Sequence, residues 1–351
     1  MSKKVFVGMS GGVDSSVTAA VLKDQGYDVT GVYMKNWTKD LPGLICPWKQ
    51  DYQDAKRVAV QLGIPFKVYD FQKDYRRKVV DYMLSEYQMG RTPNPDIMCN
   101  QEIKFKLFLD TALSDGADFI ATGHYARIDS DKLFVARNKE KDQSYFLYRV
   151  GSKALSHTLM PIGEFASKAE VRKLASKYHL VTAEKKDSQG ICFVGKVGIK
   201  DFLLFELGPQ VTGKIIDQNG SVVGEHDGAI FYTIGQRHGL DIGGGLPYYV
   251  TSKNIKKNEI YVTTDLQDQA LWNKRVSLGD VYWISGSSPK TTDKLQIRLR
   301  YRLPLVGVSQ LTQDAEGHWQ LRLSEEIRAI TPGQSAVIYN GQQVLGGGIV
   351  I

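Results

Sequence analysis

The stretch Ser10-Gly11-Gly12-Val13-Asp14-Ser15-Ser16 near the N-terminus falls between a short apolar run and a helix-like pattern, and this junction constrains the fold most. Val5, Phe6, Val7 and Met9 read as a buried strand, while Val13, Val17, Ala20 and Val21 recur at helical spacing up to a stop at Gly26. Paired glycines at a strand-to-helix turn let backbone approach a ligand with no Cβ in the way, and the first N–H groups of the helix face it unpaired. The junction is an anion site. The hydroxyls of Ser10, Ser15 and Ser16 make phosphate or pyrophosphate its natural guest.

The loop lacks the Gly-x-x-x-x-Gly-Lys-Ser/Thr pattern whose lysine reaches the outer phosphates in Walker-type sites. It resembles instead the pyrophosphate loop of the ATP pyrophosphatases, enzymes that activate a carbonyl oxygen as an adenylate and release pyrophosphate. The alternative is a glycine turn that merely joins the strand to the helix.

Up to about residue 200, strand and helix patterns alternate. Val29 to Met34 and Phe66 to Phe71 read as strands, Tyr52 to Leu62 and Asp74 to Met89 as helices, then Glu102 to Ser114 as a helix and Asp118 to Thr122 as a strand. Alternation of this kind predicts an α/β fold, a Rossmann-like parallel sheet with helices on both faces and ligands at the carboxyl ends of its strands. From about Gly208 short apolar runs broken by glycine replace helical periodicity, predicting a small β-rich module. The chain is therefore divided into 1–204, a catalytic α/β domain; 205–272, a central β-rich domain; and 273–351, a β-barrel-like domain.

Composition narrows the class. The 351 residues are 42% hydrophobic with no long apolar run, so no membrane span is expected, and the apolar start is too short for a signal-peptide core. A cytoplasmic protein is the expectation. Three cysteines make no disulfide framework in a chain this long and read as thiols in a reducing compartment. A net charge of +7 admits nucleic acid or an anionic cofactor without choosing between them.

Two of the cysteines lie in informative surroundings. In Gly90-Arg91-Thr92-Pro93-Asn94-Pro95-Asp96-Ile97-Met98-Cys99-Asn100 the prolines prevent helix, and Asp96 and Cys99 precede a helix starting near Glu102. A carboxylate and a thiol so placed can form a nucleophile with its proton partner; equally, Cys99 can be a small buried hydrophobe. Cys192 stands in Lys185-Lys186-Asp187-Ser188-Gln189-Gly190-Ile191-Cys192-Phe193. Two lysines would lower its pKa if they fold close to it; the alternative is a core cysteine on a short strand.

These stretches, together with Met34-Lys35-Asn36-Trp37, Glu102-Ile103-Lys104-Phe105, Ala121-Thr122-Gly123-His124-Tyr125-Ala126 and Tyr232-Thr233-Ile234-Gly235-Gln236-Arg237, resemble the tRNA-specific 2-thiouridylases over nearly the whole chain. The loop Thr38-Lys39-Asp40-Leu41-Pro42 departs from the more acidic sequence expected of that family and is given no role. The resemblance implies an enzyme that installs sulfur at C2 of the wobble uridine of a tRNA subset, those for Lys, Glu and Gln, using ATP, Mg²⁺ and a persulfide donor protein. It implies that Gly8, Met9, Ser10, Gly11, Gly12, Val13, Asp14 and Ser15 hold the phosphates, and that Met34 and Gly123 meet the adenosine. Asp96 would be the general acid/base, Cys192 would carry the persulfide, and Cys99 would release its sulfur, leaving a Cys99–Cys192 disulfide. Cys46 has no counterpart and is read as structural. A monomer is expected.

Contacts to tRNA are implied for Asn94, Pro95, Asp96, His124, Lys141, Asp142, Gln143, Arg300, Tyr301 and Gln334. For His124 alone a satisfied core histidine is the plainer reading. In Ile297-Arg298-Leu299-Arg300-Tyr301-Arg302-Leu303, period-two alternation predicts a strand within Lys294 to Leu303 with Arg298, Arg300 and Arg302 in a row on one face. Such a row suits a phosphate backbone, or is a solvated strand face.

Overall fold

The computed structural model describes residues 2–40, 46–187, 198–243, 245–290 and 294–351. Strand β1 (Lys4–Gly8) runs into the glycine loop and helix α1 (Val13–Asp24), followed by β2 (Asp28–Lys35), α2 (Trp48–Leu62) and β3 (Phe66–Asp70). Helix α3 comprises Gln72–Tyr75, a π-helical turn Arg76–Val80 and Asp81–Gln88. Helix α4 is likewise composite, with Pro95–Met98, a π-helical stretch Cys99–Leu107 and Phe108–Ser114, and it leads into β4 (Phe119–Ala121).

A hairpin of β5 (Ala126–Asp129) and β6 (Lys132–Val135), the short strand β7 (Thr158–Leu159), α5 (Lys168–Lys177) and α6 (Ile199–Leu207) follow. The strands β3-β2-β1-β4-β7 form one parallel sheet. Its order reverses at β1, where Val7 pairs with Gly31 on one side and Ala121 on the other. A crevice therefore opens between the carboxyl ends of β1 and β4, where parallel sheets bind ligands.

Strands β8 (Gly213–Ile216), β9 (Val222–His226), β10 (Tyr249–Asn254) and β11 (Glu259–Thr263) make a separate four-stranded sheet around Ile215, Val250 and Ile260. The remaining strands are β12 (Trp272–Trp283), β13 (Leu295–Arg298), β14 (Val306–Gln313), β15 (Trp319–Arg328), β16 (Ser335–Asn340) and β17 (Gln343–Val350). They pair in the order β12-β15-β14-β13-β16-β17 and close through β12 against β17 into a six-stranded barrel, which leaves no free edge. The β5–β6 hairpin, unforeseen from sequence, joins this barrel through Leu133 opposite Val344, so the α/β domain lends two strands to the barrel's sheet.

Two sequence expectations are corrected. Helix α4 begins at Pro95 rather than near Glu102, because Asn94 is its N-cap, accepting a 3.2 Å hydrogen bond from the Asp96 amide, and proline is at home in the first helical position. Asp96 and Cys99 are thus on a helix, one turn apart, not in a loop. The arginine row is also broken. Strand β13 ends at Arg298, and the chain turns through Arg302, whose φ of 67° is incompatible with a strand.

Candidate functional site

The nucleotide loop is built as the sequence predicts. Gly12 caps α1, Ser15 and Ser16 hydroxyls donate to its carbonyl at 3.1 and 2.8 Å, and Ser10 Oγ lies 3.2 Å from Ser15 Oγ. Gly11 has φ 76°, and a Cβ there would strike the backbone of Asp51 in α2. Met9 and Val13 anchor the loop in the core, and the Met34 methyl lies over Gly8 at the end of β1. On the other side of the crevice Gly123 sits so close that a Cβ would come within 2.7 Å of the Ser15 amide nitrogen. Gly8 to Ser15, Met34 and Gly123 therefore gather at one edge of the sheet.

Asp14, in the first turn of α1, is held by three contacts. Lys168 Nζ reaches its two oxygens at 2.7 and 2.8 Å, and the Tyr125 hydroxyl donates to Oδ1 at 2.8 Å. Lys168 opens α5, whose N-cap Ser167 accepts from the Glu170 amide and donates its hydroxyl to the Glu170 carboxylate. The same lysine meets Asp187 at 3.0 Å, which also takes Lys141 and Arg172. Burial opposes ionisation of Asp187, yet Lys168 and Lys141 prevail and hold its carboxyl below the usual range. Neither Lys168 nor Tyr125 was singled out from sequence; the Ser167 cap marks the helix start, but nothing local links it to Asp14.

From Gly123 the site continues to His124, whose Nδ1 is 2.8 Å from Thr122 Oγ1 and whose Nε2 is 3.4 Å from Lys104 Nζ. Burial, reinforced by the Lys104 ammonium, holds this imidazole well below its ordinary 6.5, so it is neutral at pH 7. Lys104 lies on α4, as do Asp96 and Cys99. Burial pushes the Asp96 carboxyl above its ordinary 3.8, and Lys104 offsets part of that rise. The Cys99 residue is only 5% exposed and belongs to the core cluster containing Trp37 and Phe202.

Cys99 is the fifth residue of α4, beyond the first turn where a helix dipole acts on a thiol. Cys192 lies outside the described residues. Of the two lysines expected to act on it, Lys185 is committed to Asp51 and Asp54 at 2.8 and 2.7 Å. Cys46 packs against the core, its Sγ 3.8 Å from the Trp37 carbonyl, and burial pushes its thiol up.

The residues proposed from sequence to meet RNA fall into two groups. Asn94, Pro95 and Asp96 open α4 beside Thr92, where the three β-rich and α/β parts converge. Thr92 N donates to Pro332 O at 3.0 Å, Thr92 Oγ1 is 3.2 Å from Thr233 Oγ1, and Gln334 donates to the Thr92 carbonyl at 2.7 Å.

The second group surrounds a cavity of about 490 Å³ lined by Lys139, Lys141, Asp142, Arg298, Tyr301 and Arg302 among others. Within it the Asp142 carboxylate is buried and used internally, accepting from Ala136 N, Ser144 N, Ser144 Oγ and Arg298. Gln143 Oε1 likewise accepts from the Tyr125 amide, Arg300 donates to Thr331 Oγ1, and Tyr301 packs 4.4 Å from Phe146. Lys141 and Arg302 retain exposed side-chain surface.

A doubly wound α/β domain with a glycine-rich loop at its switch point, fastened to a closed barrel, is the architecture of a protein of the HUP class. Residues 3–196 match the family described as tRNA methyl transferase HUP domain, 200–264 the tRNA methyl transferase PRC-barrel domain, and 273–350 the aminomethyltransferase beta-barrel domain. The chain is 47% identical to the tRNA-specific 2-thiouridylase MnmA 2 of Geobacillus kaustophilus, over 99% of this chain and 94% of that protein. It is 47% identical to the tRNA-specific 2-thiouridylase of Nitrosomonas europaea, covering 99% and 98%, and 44% identical to that of Bacillus subtilis, covering 99% and 94%. The chain belongs to the family of tRNA-specific 2-thiouridylases.

Proposed function

We propose that this protein is a tRNA-uridine 2-sulfurtransferase that replaces O2 of the wobble uridine by sulfur at the expense of ATP. The observation that carries the reading is the convergence at one sheet edge. The phosphate loop touches Gly123, His124 adjoins Lys104, and Lys104 shares a helix with Asp96 and Cys99. A methyl transfer, as the family descriptions would have it, has no need of a pyrophosphate loop; activation of a carbonyl oxygen does.

In the proposed sequence the uridine O2 attacks the α-phosphate of ATP bound at Gly8 to Ser15, with Met34 and Gly123 at the adenosine, and pyrophosphate leaves. Asp96, whose carboxyl burial pushes above its ordinary range, serves as general acid/base. The Cys99 thiolate then attacks the inner sulfur of a persulfide on Cys192; the hydrosulfide released adds to C2, and AMP departs. The resulting Cys99–Cys192 disulfide is reduced by an external dithiol.

Among the described residues no group of three or more His, Cys, Asp or Glu is arranged to hold a metal ion. Mg²⁺ would be carried chiefly by the nucleotide phosphates, with Asp14 the carboxylate of the loop, and would supply charge neutralisation there. The flipped uridine would meet Asn94 to Asp96 and His124, while Lys141, Asp142, Gln143, Arg300, Tyr301 and Gln334 engage the tRNA body, Asp142 through its main chain. Residues 1–204 would be the catalytic domain, 205–272 a central module and 273–351 the tRNA-contacting barrel. A persulfide-bearing protein would load Cys192 of a cytoplasmic monomer.

Incubation with ATP and unmodified tRNA, with a persulfide donor and a dithiol reductant, tests the reading. AMP, pyrophosphate and 2-thiouridine are expected in equal amounts. ADP and orthophosphate as products would sink it.

A further inference from the structure

The nucleotide loop carries no lysine of its own, and one divalent cation neutralises only part of the charge on the phosphates of ATP, so a protein cation is wanted there. The fold brings one from 154 residues away. Lys168 Nζ lies on both carboxylate oxygens of Asp14, in the first turn of α1, and its side chain is only 15% exposed. The lysine stem springs from the first residue of α5, so the ammonium reaches the loop from a ten-residue helix rather than from a surface tail.

Among the described residues Lys141, Lys168 and Arg172 converge on Asp14 and Asp187, three cations against two carboxylates in one ion-pair cluster. Asp187 already has Lys141 and Arg172 and stays paired if Lys168 moves. Asp14 retains the Tyr125 hydroxyl. Both partners of Lys168 can therefore release it without leaving a buried carboxylate bare.

We infer that Lys168 is the phosphate-contacting cation of this site, passing from Asp14 to the β- and γ-phosphates of ATP, and then to the departing pyrophosphate. Asp14 is thereby left to face the metal that accompanies the phosphates. This rests on the reading of Gly8 to Ser15 as an ATP site and adds to it a residue outside the loop. A purely structural lysine would neutralise Asp14 alike in the presence and absence of ligand and would be indifferent to how many phosphates the ligand carries.

Titration calorimetry of wild type, Lys168→Met and Lys168→Arg with ATP, inorganic pyrophosphate and AMP, each with Mg²⁺, separates the two roles. Loss of one charge-assisted contact should weaken ATP and pyrophosphate by about 10- to 100-fold in Lys168→Met and change AMP by less than about 2-fold. Lys168→Arg, which keeps the charge, should recover part of the loss, and thermal melting of each variant reports whether the fold is intact. Unchanged ATP and pyrophosphate affinity in folded Lys168→Met overturns the inference, as does an equal loss for ATP and AMP. Wild-type protein that binds neither ATP nor pyrophosphate overturns the nucleotide reading itself, and the inference with it.

Discussion

Gln334 of the barrel donates its side-chain amide to the carbonyl oxygen of Thr92 across 2.7 Å, two residues ahead of the asparagine that caps the helix bearing Asp96 and Cys99. A residue of the barrel is thereby fastened just ahead of the start of that helix. Gln334→Ala should cost about 1 kcal/mol of stability, the usual net worth of such a bond. Steady-state thiolation should show a fall in kcat/KM for tRNA with ATP affinity unchanged. Equal loss of both would mean that the contact supports the whole domain rather than the helix start.

Asp96 is a carboxyl that the fold prefers protonated. Because its folded pKa is raised above the unfolded 3.8, the ionised group penalises folding above the folded pKa, and the penalty disappears as pH falls to the unfolded value. Asp96→Asn should therefore melt higher than wild type at pH 7, with the gap narrowing toward acid, while losing thiolation. A variant that melts lower at pH 7 would show that the carboxylate is stabilised in a way its burial does not predict.

Adenylation needs the nucleotide loop and the carboxyl, whereas sulfur transfer needs the thiols. Cys99→Ser and Cys192→Ser should each abolish 2-thiouridine formation with ATP binding intact, and Cys46→Ser should remain active. Loading with a persulfide donor distinguishes the pair, since only Cys99→Ser retains the acceptor. Peptide mapping after one turnover without reductant should find Cys99 joined to Cys192; full activity in either serine variant would exclude the mechanism.

Arg298 and Arg302 should behave oppositely. Arg298 pairs with the buried Asp142 at 3.3 Å, and removing it leaves that carboxylate with neutral donors but no paired charge, so Arg298→Ala should destabilise the protein by about 3 kcal/mol. Arg302 is exposed on the cavity rim. Its removal should leave melting unchanged and reduce the salt slope of tRNA binding by about 0.7–0.9. An unaltered slope would return Arg302 to an ordinary surface role.

Much of the α/β domain was legible because its signals are local. An apolar run, a glycine pair and a helical repeat specify the phosphate loop within twenty residues, and the parallel sheet follows from the alternation of its neighbours. The same kind of signal misled at Pro93 to Pro95. Two prolines read as a helix barrier, but with Asn94 between them they make a cap and a first turn. At Arg298 to Arg302 the alternation was present in sequence, yet the chain turns after Arg298 because Arg302 takes a left-handed backbone and Arg298 is drawn to Asp142.

By itself the sequence determined that a glycine-rich strand-to-helix turn stands at the carboxyl end of a parallel sheet, and that Asp96 and Cys99 stand three residues apart. Tertiary structure alone decided that Lys168 meets Asp14, that the β5–β6 hairpin is captured by the barrel, and that Gln334 meets Thr92. Turns, caps and periodicities are short-range preferences of the backbone, written into neighbouring residues. Pairings across a hundred residues or more depend on which faces the packed core leaves touching, and no local pattern encodes that.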